Sequence, residues 1–137
     1  MADHVHPDID DDELLTRFAA NTLPAFPHEE HLHVVFVKSG RATPAETLAF
    51  MRDGIRAMAA ANGKPEAYHD TRTVAWVQII VAARADFTGR FGDFLAAHPE
   101  LVRRDLLSDY YSGELLNADA ARASFTAPDL QELPTAS

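Results

Sequence analysis

Apolar residues recur three and four positions apart along most of this chain, the spacing of helices with one buried side. Leu14, Leu15 and Phe18 mark a first helix from about Asp11 to Asn21. Thr22 to Pro27 is a connection, because Pro24 and Pro27 disfavour helix in the residues before them. A second helix is expected to start near Pro27, a residue suited to the first helical position, and to end at Ser39-Gly40. The third has the clearest start, since Thr43-Pro44-Ala45-Glu46 spells a capping box with proline in the first turn. Leu48, Met51, Ile55 and Met58 line one side of it, and Asn62-Gly63 closes it.

A fourth helix is expected from Asp70–Thr73 to about Asp86, apolar nearly all round through Val74, Trp76, Val77, Ile79, Ile80 and Val81. Such a helix is normally the central one. Its β-branched and aromatic content makes a strand the competing assignment, and its length and helical neighbours favour helix. Residues 88–97 are expected to be helical despite two glycines, Pro99 to Tyr111 to form another helix, and Asn117 to cap a short last one reaching Arg122. These patterns predict an all-α, antiparallel helical bundle of five to six helices over residues 11–126. Residues 1–10 are read as a disordered acidic tail and residues 127–137 as an extended C-terminal tail. In an up-and-down arrangement the second and fourth helices start at the same end.

That end would collect histidines. His28 and His31 are neighbours on one helix surface, and His69 stands at the start of the fourth helix. Three neutral imidazoles suffice for one transition metal ion (zinc, iron or copper) with an open position, and they suit magnesium or calcium poorly. Asp70, Glu29 or Glu30 could orient a ring N–H or complete the coordination. His28-Glu29-Glu30-His31 has its histidines three apart, so it is not the H-E-x-x-H of a zinc protease. The same end offers metal-free chemistry: helix N-termini, the hydroxyls of Thr71, Thr73 and Tyr68, and the Arg72 cation could hold a carboxylate or phosphate. Tyr68, Tyr110 and Tyr111 are candidate proton donors or substrate contacts. His4, His6 and His98 are read as incidental, and His33 as pointing elsewhere on its helix, with Phe36 and Val37.

Composition narrows the classes. The chain has 137 residues, 47% of them hydrophobic, enough for one domain with its own core. It has no cysteine, which removes disulfides, thiolate metal sites and thiol nucleophiles. With 12 basic against 21 acidic residues, and a net charge of −9, nucleic acid is not the expected partner. Neither is a membrane, because the longest apolar run, Val74–Ala83, is too short to span one. The opening MADHVHPDIDDDELL lacks the basic and then apolar order of a secretory signal, so a soluble, cytoplasmic protein acting on a small molecule is expected. A homo-oligomer is compatible with all of this.

Three stretches carry a resemblance: Phe26-Pro27-His28-Glu29-Glu30-His31-Leu32, Tyr68-His69-Asp70-Thr71-Arg72-Thr73 leading into Ala75-Trp76, and Leu106 to Ser112. With the closing Pro128-Asp129-Leu130-Gln131-Glu132-Leu133-Pro134, they resemble a family of small, functionally uncharacterised bacterial proteins bearing F-x-H-x-x-H-L and Y-H-x-T-x-T motifs. The resemblance spans roughly residues 14 to 134. It picks out His28, His31 and His69 and supplies no reaction. Three expectations stand side by side: a metal-dependent enzyme, a metal-free small-ligand protein or non-metal enzyme using the same pocket, and an interaction module with structural histidines.

Overall fold

The computed structural model describes residues 10–135; the proposed disordered tail, apart from Asp10, and His4 and His6 lie outside them. The described residues form an all-α helical bundle. Its main helices are α1 (Asp11–Ala20), α2 (His28–Ser39), α3 (Pro44–Ala61) and α4 (Asp70–Arg84), followed by the shorter α5 (Phe91–Ala97), α6 (Gly113–Leu116) and α7 (Asp119–Ala123). The strand alternative for α4 is not what forms.

Local chemistry sets the boundaries. Asp10 accepts the Glu13 N–H at 2.8 Å to start α1, and Asn21, at φ 58°, ends it. Pro27 precedes the first helical residue of α2 rather than being it. Both bonds of the Thr43–Glu46 capping box form, at 2.9 and 3.1 Å. Helix α5 begins only at Phe91, because Gly89 sits at φ 137°, outside any right-handed helix.

Helix α4 is the centre, packing against α2, α3 and α7. Its Ala75, Val77, Ile79 and Ile80 join Leu32, Val35 and Phe36 of α2 in one core. The first turn of α2 meets α4 at Trp76, and Arg84 at the far end of α4 donates to the Phe36 carbonyl at 3.3 Å. The two helices therefore run the same way and start at one end, as the helix alternation implied. Gly54 of α3 lies directly against the Phe18 ring, and any β-carbon there would overlap it. That contact lets α1 and α3 approach closely.

The expected helix from Pro99 to Tyr111 is instead two short 3-10 turns, Pro99–Val102 and Leu106–Asp109. Leu101, Leu106 and Leu107 are all buried. At that spacing a continuous α-helix would point them to different sides, and the break at Arg103, which is extended, brings them to one core. Helix α6, capped by Ser112, had no expectation attached to it. The final segment is extended, as expected, but anchored: Leu133 is buried, Leu130 N–H donates to the Tyr110 carbonyl at 2.9 Å, and Asp129 accepts the Ser112 N–H at 2.8 Å.

Candidate functional site

The three motif histidines do different work. His69 is the N-cap of α4: its Nδ1 accepts the Arg72 N–H at 3.1 Å. Its Nε2 bonds the Leu116 carbonyl at 2.7 Å, so that nitrogen carries the proton. Both ring nitrogens are occupied by the fold, and burial, first among the causes, holds the ring below its ordinary pKa. His28 donates from Nε2 to the Leu101 carbonyl at 2.8 Å and packs edge-on against Trp76, with centroids 4.7 Å apart. His31 is different. Its ring meets Phe26 and Trp76 edge to face, at 5.7 and 6.4 Å, and no hydrogen bond from a described residue engages its nitrogens. Burial, helped by the neighbouring His28, pushes its pKa down to about 4, so it is a neutral imidazole at pH 7.

The expected convergence of His28, His31 and His69 as metal ligands is therefore not assembled. His69 has no free lone pair to give, and among the described residues no three His, Asp or Glu side chains are grouped to hold a metal ion. Glu30, offered as a supporting carboxylate, lies inside the core with Oε1 3.6 Å from His33 Nδ1. His33 itself is buried and stacked on Phe91 at 4.3 Å.

What the histidine end does form is a pocket of about 340 Å³ between α3 and the start of α4. His31, His69, Tyr68, Arg72, Thr73 and Trp76 line it, opposite an apolar wall of Ile55, Met58 and Ala59. The polar groups are unequal. Tyr68 Oη donates to Asp70 at 2.7 Å, and burial together with that carboxylate raises its pKa, so its proton is already committed. Thr73 Oγ1 donates back to the His69 carbonyl at 3.0 Å. Arg72 is exposed at the rim, and among the described residues its guanidinium has no carboxylate partner. It stands in the first turn of α4, where a cation opposes the helix dipole. Partial cover of its guanidinium at the rim and then the nearby Arg122 lower its pKa.

The remaining sequence candidates point elsewhere. Thr71 is fully buried on the other side of α4; its Oγ1 donates to the Ala121 carbonyl at 2.6 Å and accepts the Thr126 N–H at 3.0 Å. Tyr111 is buried and donates to the Thr126 carbonyl at 2.7 Å. Neither it nor Tyr110 lines the pocket, because the chain expected to return as a helix breaks into turns and lays both tyrosines under the C-terminal segment. Thr71, expected to bind ligand, and Tyr110 and Tyr111, expected to act in catalysis, thus lie away from the pocket that Tyr68, Arg72 and Thr73 share.

Sequence reasoning named Asp70 only as a support for a histidine and missed its partner Arg52. Asp70 is buried, and Arg52 grips it with two bonds of 3.0 Å. Burial works to raise the Asp70 pKa, and the Arg52 guanidinium and Tyr68 hydroxyl outweigh it and hold the carboxyl below its ordinary value. A larger cleft of about 710 Å³ lies near His33 and Gly40. Its Arg41 pairs with Asp12, and its Arg84 bonds the Phe36 and Phe87 carbonyls.

No family model, curated protein or solved structure matches this chain. Among the described residues no helix is long and apolar enough to cross a membrane.

Proposed function

We propose that this domain binds a small anion, a carboxylate or phosphate, in the pocket bounded by His31, Arg72 and Trp76. One observation carries the reading: Arg72 at the rim has no carboxylate partner among the described residues and stands where partial burial, the nearby Arg122 and the helix dipole all disfavour its charge. A bound anion would offset all three. The pocket size falls at the small end of ligand sites. His31, neutral at pH 7, supplies a hydrogen-bond partner rather than an efficient acid or base, since its pKa lies well below the working pH. Binding, not proton transfer, is what these groups are suited to.

Thermal melting of the full chain at pH 7 with acetate, benzoate, inorganic phosphate or sulfate tests this. At least one anion should raise the melting temperature by a few degrees at millimolar concentration, and Arg72→Gln should abolish the rise. A chain that no anion stabilises is not a small-anion binder. The metal-dependent alternative makes the opposite forecast: zinc, copper or ferrous iron would stabilise chelator-stripped protein, and His69→Ala would remove that gain. With both His69 nitrogens engaged, we expect no such stabilisation.

A further inference from the structure

The walls of the same pocket select among anions. Ile55, Met58, Ala59 and Ala67 give it an apolar side where Asn62 adds only a neutral amide and no second charge, and the Trp76 indole, with the His31 imidazole set edge-on to it at 87°, gives it an aromatic side. A phosphate is a compact dianion that calls for several donors around it, whereas a carboxylate matches one planar guanidinium through two parallel bonds. The unanswered charge here is a single guanidinium. Burying an apolar body against Met58 and Trp76 adds affinity that acetate and phosphate cannot gain, and a thioether beside a ring is itself a favourable contact.

Resting on the small-anion reading, we infer that the ligand is a planar, apolar-bodied monocarboxylate, an aromatic or conjugated acid, with its carboxylate at Arg72 and its ring between Trp76 and the Ile55–Met58 wall. His31 faces the same space and meets the ring edge or a polar substituent on it.

The molecule carries its own reporter, because Trp76 is the chain's one tryptophan and lines the pocket. Titrating the full chain with benzoate while following tryptophan emission should give saturable quenching. Benzamide, the neutral isostere, should bind about 10-fold more weakly or worse, as should acetate and inorganic phosphate. Arg72→Gln, an exposed site, should weaken benzoate about 10-fold with circular dichroism unchanged, and Met58→Gln should weaken benzoate while leaving acetate unaffected. Phosphate or acetate binding as tightly as benzoate overturns the inference and leaves the small-anion reading standing. Benzamide binding as tightly as benzoate overturns both, as does the absence of any response to every anion.

Discussion

Around the start of α4, one set of polar groups is joined to other parts of the fold, even where, like His69 and Tyr68, they also line the pocket. Thr71 ties α4 to the end of α7 and to Thr126, His69 ties it to Leu116, and Asp70 ties it to Arg52 and Tyr68. Beside them, the side chains of Arg72 and His31 face the pocket, and no hydrogen bond from either reaches a described residue. In the sequence motif Tyr68-His69-Asp70-Thr71-Arg72-Thr73, five side chains are bonded within the fold, and that of Arg72 is not. A polar motif therefore divides into a clamp and a site, and only the destination of each hydrogen bond tells which residue belongs to which.

The largest effect that should separate the two sets comes from acid. An imidazole pushed down to about 4 in the folded chain and near 6.5 in the unfolded one takes up its proton only on unfolding. Its contribution is fully present above pH 6.5, shrinks as pH falls, and is gone near pH 4. For His31 this amounts to at most about 3 kcal/mol, reduced by the ring's partial exposure. Urea melts from pH 7 to 4 should show stability dropping through that window, and His31→Gln should flatten most of the drop. The residue left over should come from His69, whose pKa is lowered as well. A wild-type stability that is level from pH 6.5 to 4 would remove the contrast between a neutral, unbonded His31 and an ordinary surface histidine.

Next in size is the clamp. Thr71→Val keeps the shape and removes a buried hydroxyl with two hydrogen bonds, so it should cost about 2 kcal/mol and lower the melting temperature by roughly 5–10 °C. Benzoate quenching of Trp76 should survive at its wild-type midpoint, since Thr71 faces away from the pocket. A variant that melts normally but loses quenching would put Thr71 in the site and erase the division.

The smallest stability effect should be at Arg72. Arg72→Gln removes an exposed cation from a helix start and from the neighbourhood of Arg122, so stability should change by less than about 0.5 kcal/mol, and upward. The same substitution should have the largest effect of the three on anion affinity. A loss of 1 kcal/mol or more in denaturant melts would mean Arg72 belongs with the clamp.

Much of the architecture was legible because it rests on local rules. The Thr43 capping box, the Asn62-Gly63 stop, the all-round apolar face of α4 and the shared starting end of α2 and α4 all follow from spacing and from cap chemistry. The stretch from Pro99 to Tyr111 misled because each leucine looked helical on its own. Only the need to bury Leu101, Leu106 and Leu107 together, after Arg103 turns away toward Asp105 and Asp109, shows why the helix breaks.

The histidines divide along the same line. Sequence alone determined that His28, His31 and His69 would gather at one end of a helical bundle, because helix period and alternation fix which ends meet. It could not determine that the Leu101 and Leu116 carbonyls would arrive there too, from segments more than forty residues further along the chain, and bond His28 and His69. Local spacing sets where a side chain starts. Whether its donor and acceptor remain available depends on which unpaired backbone groups the rest of the chain buries beside it, and that is settled only when the tertiary structure closes.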